Sequence, residues 1–333
     1  MKKRFLFMTM LFTLCLCAAA CGKKNTEEAD EEIVEEESTD FDIIIGYTVD
    51  GEAIDGAPNY AKYDYVSITG GEEAGAYWDE EDCTVYCTGT SKKDITVIVD
   101  FTPTVYPIKM HNKGYTDLQD AFDDATIGTV EDIFLWQDYE GSAIVPSDAK
   151  IVLYLNGNTI DGVGNDTLTV RGTLTVYGEG SLVNTVENES ELSSKTIANY
   201  GNLTLDGVTL TNSTSSVTLW NSSNNYSVVN LYDCDITHNL NESNVMINSG
   251  TMNIYSGIYH AVSGEGYSVL KINYADAVVN YYDGTFVNYA EGFTVTLLDG
   301  TFNNLSPNDL TGTNKLGSAA YADKSDDSED EEE

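Results

Sequence analysis

One unit of sequence recurs between about residues 165 and 304, and it limits what this chain can fold into. Each copy has two apolar residues in alternation, then a short corner, a glycine or cysteine, and one further apolar residue. Self-similarity at a period of this size is typical of solenoids and other repeat arrays. The corner residues, spaced by 27, 27, 23, 27 and 16 positions, are Gly180, Gly207, Cys234, Gly257, Gly284 and Gly300.

Apolar and polar residues alternate within each copy, as in Leu203-Thr-Leu205 and Val229-Asn-Leu231. This period of two indicates strands with one buried face. A single unit is too short to bury its own apolar side, so neighbouring units must stack. Coils of two or three short strands, stacked in parallel about 4.8 Å apart, satisfy the pattern.

The coil length, the stacked apolar positions and the Asn/Thr-rich corners together resemble the pectin-lyase-like superfamily over roughly residues 115–305. The resemblance implies an all-β fold, a right-handed parallel β-helix. It implies no single activity, because folds of this kind host many functions. The last spacing of 16 is short for a full coil, so the final turn is expected to be incomplete or capping.

Changes in composition along the chain predict separate segments before and after the repeat. Residues 41–108 contain strand-like stretches between Gly-rich turns, which predicts a small β-rich domain resembling a β-sandwich. The alternative is an extension that packs on the solenoid. The expected order is a signal peptide at 1–20, an acidic disordered tether at 21–40, the β-rich domain at 41–108, the β-helix at 114–305 and an acidic disordered tail at 306–333.

A short helical pattern covers residues 115–125, directly before the repeat. Thr116 is predicted as its N-cap, with Gln119 completing a capping box. Leu118, Ala121 and Phe122 share one apolar face. An open solenoid end exposes core and unpaired strand edges, so we expect this helix to cover the N-terminal end.

The first residues have the features of a targeting segment. Lys2, Lys3 and Arg4 precede an apolar stretch that ends in Ala18-Ala-Ala-Cys21. Small residues directly before a cysteine resemble the lipobox of bacterial lipoproteins. The resemblance implies cleavage before Cys21 and a lipid on its sulfur. We therefore expect a protein anchored to the cell membrane and facing outside the cytoplasm, although an ordinary signal peptide cut after Ala20 is the alternative.

Acidity excludes several kinds of partner. The formal net charge is −39, and loss of the three cations in the first four residues leaves −42 (13 − 55). Nucleic acid and anionic membrane surfaces are therefore excluded as partners, and acidic polysaccharide would be repelled unless cations intervene. We expect a monomer whose partners are its membrane and a polysaccharide or cell-wall glycan.

The residue before the corner is acidic in five of the six copies. If the corners stack, these carboxylates form a column whose oxygen atoms suit Ca²⁺. No other cofactor is expected. The alternative is turn chemistry, because Asp-Gly is a favoured corner pair. The candidate calcium ligands are Asp206, Asp233, Asp283 and Asp299.

An aromatic stripe lies two residues before the corner, at Tyr232, Tyr255 and Tyr282, with Leu298 at the next equivalent position. If these rings face outward they could stack on sugar rings and bind a ligand. If they face inward they fill the core.

Catalytic signatures are weak in this sequence. Carboxylate pairs arise by chance in so acidic a chain, and Arg171, the one arginine left after processing, lies in no recognisable lyase motif. His238, His260 and Asp235 could form a metal site only if successive coils bring them together. We therefore expect a non-catalytic, lipid-anchored surface protein whose β-helix binds glycan or another surface partner. The alternatives are a polysaccharide lyase or glycoside hydrolase of the pectin-lyase-like fold, and a purely structural spacer.

Overall fold

The computed structural model describes residues 43–305 except 61, 80–83, 89–93, 187–192, 224–226, 265 and 291–292. The predicted signal peptide, tether and acidic tail lie outside this described part. Within it, no helix has both the length and the apolar character needed to cross a membrane.

The N-terminal part consists of two β-layers. One is a sheet of order β2-β1-β6-β3, in which β1 and β6 are parallel, and the other is the hairpin β4-β5. Trp78 on β4 packs on Phe101 of β6 and Tyr65 of β3, with ring centroids 5.4 Å apart in both pairs. The β-sandwich-like character predicted here is confirmed. The strands are β1 (Ile43–Val49), β2 (Glu52–Ile54), β3 (Tyr63–Thr69), β4 (Ala76–Asp79), β5 (Thr84–Cys87) and β6 (Ile95–Pro103), with a 3-10 turn at Glu72–Ala74.

A buried lysine joins these layers to the rest of the molecule. Lys109 lies on β7 (Ile108–Met110), which pairs with β8 (Lys113–Tyr115), and its side chain is fully buried. Its ammonium donates to the carbonyls of Tyr60 and Tyr63 and pairs with Asp64 at 2.7 Å. The charge is therefore compensated where it is buried, as its desolvation requires.

The one described α-helix, α1 (Leu118–Asp123), covers the N-terminal end of the solenoid as predicted. Its N-cap is Asp117 and not Thr116, because the Asp117 carboxylate accepts from the Gln119 backbone N–H at 2.7 Å. The predicted capping box is therefore wrong. The Gln119 side chain instead bonds both backbone groups of Ile144, at 2.7 and 3.1 Å, and so pairs an open strand edge.

The parallel solenoid predicted from the repeat is confirmed. Each coil contributes one strand to each of three parallel sheets, here called the long, second and third sheets, in that chain order. The long sheet contains β9 (Val130–Leu135), β12 (Lys150–Tyr154), β15 (Thr173–Tyr177), β18 (Asn202–Asp206), β21 (Val228–Tyr232), β24 (Thr251–Ile254), β27 (Val278–Tyr281) and β30 (Thr301–Asn304). The second contains β10 (Tyr139–Glu140), β13 (Thr159–Asp161), β16 (Ser181–Asn184), β19 (Thr209–Asn212), β22 (Cys234–His238), β25 (Gly257–Ala261) and β28 (Thr285–Asn288). The third contains β11 (Ala143–Val145), β14 (Leu168–Val170), β17 (Ile197–Asn199), β20 (Leu219–Asn221), β23 (Met246–Asn248), β26 (Ser268–Ile272) and β29 (Phe293–Leu297).

Apolar residues at equivalent positions of successive coils stack on one another inside the solenoid. One such inward column consists of Leu174, Leu203, Val229, Met252 and Val279, all fully buried. Burial of each such side chain contributes roughly 1.5–3 kcal/mol. The coils thus share one continuous core, which no single unit could form.

Strand register corrects the sequence alignment at two corners. Thr209 is level with Asp235, so Gly207 is level with Asp233 and not with Cys234. Val295 and Leu297 lie on β29 of the third sheet, whereas the sequence pattern placed them with the long-sheet strands. The short last spacing arises because Gly300 lies at the corner between the third and long sheets.

Candidate ligand-binding face

The outer surface of the long sheet carries three columns of side chains. Residues at the first, third and fifth positions of each strand point outward because side chains alternate along a strand. Parallel in-register pairing then stacks equivalent residues about 4.8 Å apart. The third and fifth positions are the ones with a distinctive chemistry.

The fifth position forms an aromatic column. The ring centroids of Tyr232 and Tyr255 are 4.3 Å apart with planes 3° from parallel, and those of Tyr255 and Tyr282 are 4.8 Å apart at 6°. The structure therefore brings together the three tyrosines singled out in the sequence and places them on the outer surface. Leu298 does not join them, because it follows β29 at the other corner.

The aromatic column extends further than the sequence pattern indicated. Tyr154 stacks on Phe134 at 4.8 Å and on Tyr177 at 5.9 Å. These three residues are level with the later tyrosines but precede or begin the recognisable repeat, so sequence alignment missed them. Their signal was an aromatic residue at or next to the end of the strands β9, β12 and β15. The complete aromatic column is Phe134, Tyr154, Tyr177, Tyr232, Tyr255 and Tyr282.

Stacking determines what these rings can offer a ligand. Within each stack the ring faces cover one another, so ring edges and hydroxyl groups line the surface. Burial, followed by the hydrogen bond with Tyr255, raises the pKa of the Tyr232 hydroxyl to about 12. Tyr232 is therefore neutral at physiological pH, and because its hydroxyl donates to Tyr255, its oxygen lone pairs are the groups left to accept from a ligand.

The third position forms an amide ladder beside the aromatic column. The side-chain N–H of Asn253 donates to Asn230 at 2.8 Å, Asn280 donates to Asn253 at 2.8 Å, and Asn303 donates to Asn280 at 2.9 Å. Asn230 donates in turn to the Thr204 hydroxyl at 3.2 Å. A side-chain amide has two N–H groups and two acceptor lone pairs, so each half-buried rung keeps hydrogen-bonding capacity for a ligand.

Asp206 interrupts the aromatic column. Its Cα is level with Tyr177 on one side and Tyr232 on the other. Burial, and then the charge of Asp233, raises the pKa of the Asp206 carboxyl. No residue in the described part of the chain donates a hydrogen bond to this half-buried carboxylate.

The predicted calcium column is not assembled as the sequence alignment placed it. Of the four candidate ligands only Asp206 and Asp233 come close to each other. Asp283 is level with Ser256, and Asp299 lies at the other corner, because β30 follows the third sheet. The Asp283 and Asp299 carboxylates each accept from the next glycine N–H at 2.8 Å, which is turn chemistry. No cluster of three or more metal-binding side chains exists among the described residues. Calcium binding through Asp206 and Asp233 stays a prediction.

The side chains of His238, His260 and Arg171 lie apart from one another in the structure. His238 points into the solenoid, where its Nδ1 accepts from the Leu240 N–H at 2.9 Å, and burial lowers its pKa. His260 lies on the outer surface and pairs with Asp235 at 2.7 Å. The two imidazoles lie on opposite sides of the second sheet, so the conceivable metal site of His238, His260 and Asp235 does not form, and ordinary structural histidines are what the structure shows. Arg171 lies at the corner between the third and long sheets, away from Asp206.

No family model matches this sequence, and neither a curated protein nor a solved structure shows significant similarity to it. Function is therefore inferred from the outer face of the long sheet.

Proposed function

We propose that this chain is a lipid-anchored cell-surface protein whose solenoid binds a glycan chain along the long sheet without cleaving it. The observation that supports this is the outer face of the long sheet, on which the amide ladder runs beside Tyr232, Tyr255 and Tyr282 of the aromatic column. Membership of the pectin-lyase-like superfamily, with its right-handed coil, is part of the proposal. The three parallel sheets support it.

The chemistry of the face suits a sugar polymer. The ring edges of the aromatic column contact the apolar parts of sugars, and the tyrosine hydroxyl groups and planar amides exchange hydrogen bonds with sugar hydroxyl groups. Both groups repeat about every 4.8 Å, so a polymer with a short repeat lying along the solenoid axis meets the same groups many times. Repetition of weak contacts in this way increases the overall affinity.

A polysaccharide-active enzyme is the second candidate. The observation that favours it is the raised pKa of Asp206 beside Asp233, since glycosidases use two neighbouring carboxyl groups of which one stays protonated. The outer face of the long sheet is open, however, and both carboxyl groups lie on the same side of any chain bound to it. The geometry thus favours binding over bond cleavage.

The experiment uses residues 22–333, which lack the lipid attachment site and are here called the secreted chain. This chain is incubated with neutral, acidic and amino polysaccharides, with and without Ca²⁺. Retention on the polysaccharide and new chain ends are measured in the same samples. We expect retention without new ends, weakened when Tyr255→Ala and Asn253→Ala are combined. Trp220→Ala is the matched control, because Trp220 lies on the third sheet. New chain ends would support a polysaccharide-active enzyme. If no polysaccharide retained the protein, a purely structural spacer would be the remaining function.

Anchoring is tested separately through Cys21. Replacement of Cys21 with alanine should move the protein from the membrane fraction to the soluble fraction, because the lipid attachment site is lost. Cys87→Ala is the control, since this described cysteine is free and far from the N-terminus in sequence. A Cys21→Ala protein that stays with membranes would refute the lipid anchor.

A further inference from the structure

The aromatic column has one missing rung, at Asp206, and we infer that this gap is a subsite for a protonated amino sugar. The ligand class is thus a glycan that carries free amino groups. This inference rests on the proposed glycan-binding function and specifies the class of glycan.

The gap has the depth of one sugar ring. Tyr177 stacks on Tyr154 and Tyr232 stacks on Tyr255, so each has one face covered and one face turned toward the Asp206 rung. These two faces are two coil steps apart, about 9.6 Å at the usual strand spacing. Two ring-stacking separations of about 4.5–5 Å fill that distance. The Asp206 side chain is shorter than a tyrosine and fills only the base of this rung, so one six-membered ring fits between the outer parts of the two tyrosine rings, above the carboxylate.

The gap is open toward the corner. Gly178 and Gly207 follow Tyr177 and Asp206 and adopt φ of 94° and 71°, a left-handed conformation that favours glycine. A Cβ at Gly178 would meet no atom within 4 Å, and one at Gly207 would meet its nearest atom at 4.0 Å. No side chain closes the gap from these two positions, so a ring can enter from this side.

The charges in the gap select a cation. The Asp206 carboxylate has no hydrogen-bond donor among the described residues, and the Asp233 carboxylate, in the next coil, is close enough for its charge to act on Asp206. An ammonium group would relieve the repulsion between these two acids and would gain charge-assisted hydrogen bonds. It would also lie against the tyrosine faces, which attract cations. An acidic sugar would be repelled, and a neutral sugar would gain hydrogen bonds only.

A second polar contact lies beside the gap. Thr204 is two residues before Asp206 on the same strand and the same outward side. Its hydroxyl oxygen accepts from Asn230 at 3.2 Å, which leaves the hydroxyl proton to bond a ring oxygen of the sugar. Asp206 and Thr204 can thus hold two different groups of one ring, which orients it along the column.

The test compares two tetrasaccharides of equal length, one of glucosamine and one of N-acetylglucosamine. Binding is measured by calorimetry at low salt and about pH 6, where the amine is protonated. We expect the secreted chain to bind the glucosamine tetrasaccharide about tenfold more tightly. Asp206→Asn should remove this preference, because the affinity for the glucosamine tetrasaccharide falls to that for the N-acetylglucosamine tetrasaccharide.

Asp283→Asn is the matched control, because it removes the same charge from another corner of the same acidic protein. This variant should keep the tenfold preference for the glucosamine tetrasaccharide. If the preference came only from the general attraction of cations to an acidic chain, Asp206→Asn and Asp283→Asn would reduce it equally. Unaltered melting of Asp206→Asn shows that the fold is intact. Equal affinity of the native chain for the two tetrasaccharides, or a preference that survives Asp206→Asn, overturns the inference alone. Failure to bind either tetrasaccharide or any polysaccharide overturns the proposed function as well.

Discussion

The rings of Tyr232 and Tyr255 lie in consecutive coils with their centroids 4.3 Å apart and their planes 3° from parallel. Parallel in-register coils place the same position of each coil at the same place in space, so a residue type repeated in sequence becomes a column in the structure. The side chains that form the proposed binding face therefore also hold neighbouring coils together.

Replacement of Tyr255 with alanine should lower the free energy of unfolding by about 1–3 kcal/mol, because the ring stacks on a neighbour on both sides. The measurement is the urea midpoint followed by circular dichroism. Tyr274→Ala is the control, since this ring is 52% exposed at a corner, and its loss should be within about 0.5 kcal/mol. Equal losses would show that the stacking adds nothing to stability.

Replacement of an asparagine that points into the core should cost more stability than replacement of an asparagine on the outer amide ladder. Asn221 is fully buried and accepts from Asn199 while donating to Asn248 and to the Thr251 carbonyl. Asn221→Ala should cost about 2–4 kcal/mol, because buried partners lose their hydrogen bonds. Asn253→Ala, on the half-buried outer ladder where water can replace the amide, should cost about 1 kcal/mol or less. Chemical unfolding of both variants checks the difference, and a larger loss for Asn253→Ala would contradict it.

Lys109→Met should destabilise the protein by about 3–5 kcal/mol, because Asp64 and two carbonyls lose the buried ammonium that neutralises them. Thermal unfolding of Lys109→Met and Lys113→Met makes the comparison. Lys113 is exposed and pairs with Asp124 at the surface, so its loss should leave the melting temperature nearly unchanged. If the two variants have the same melting temperature, Lys109 does not hold the N-terminal layers to the solenoid.

Stability should depend on pH through His238. Burial lowers its pKa in the folded chain, whereas the unfolded chain has an ordinary value of about 6.5. The unfolded state therefore binds more protons below about pH 6.5, and this contribution to stability is lost as pH falls, by up to about 1.4 kcal/mol per pH unit.

The variant His238→Asn should lose less stability than the native chain between about pH 7 and pH 5. Asparagine is a suitable replacement because Asn212 occupies the same position one coil earlier. Unfolding by urea at several pH values measures the effect. The control is His260→Asn, at the surface beside Asp235. It should lose as much stability as the native chain when the pH is lowered. If His238→Asn lost as much stability in acid as the native chain, groups other than His238 would be its cause.

Several features of the site could be read from the residues alone. Alternation of apolar and polar residues predicted one-sided strands, and the near-constant spacing predicted stacked coils. The three tyrosines could be predicted to lie in one column, because they precede the corner by the same number of residues. The missing rung at Asp206 could not be predicted, because the sequence alignment placed Asp206 with the corner acids.

The reason for that error is the backbone conformation at the corner. Left-handed φ occurs directly after the aromatic column at Gly178, Gly207 and Asp233, but one residue later at Gly257 and Gly284. A glycine therefore marks either of two adjacent positions, and alignment by glycine shifts Asp206 by one residue. Shifting a strand by one residue exchanges its inward and outward side chains, so the neighbours assigned to Asp206 change completely.

The sequence by itself determined the period of the strands and their tendency to stack, because both follow from apolar alternation within one unit. Only the tertiary structure decided which side chains share a column, because that depends on hydrogen-bonded register between residues more than twenty positions apart. Register placed Asp206 between Tyr177 and Tyr232, moved Asp299 to the opposite corner and separated His238 from His260.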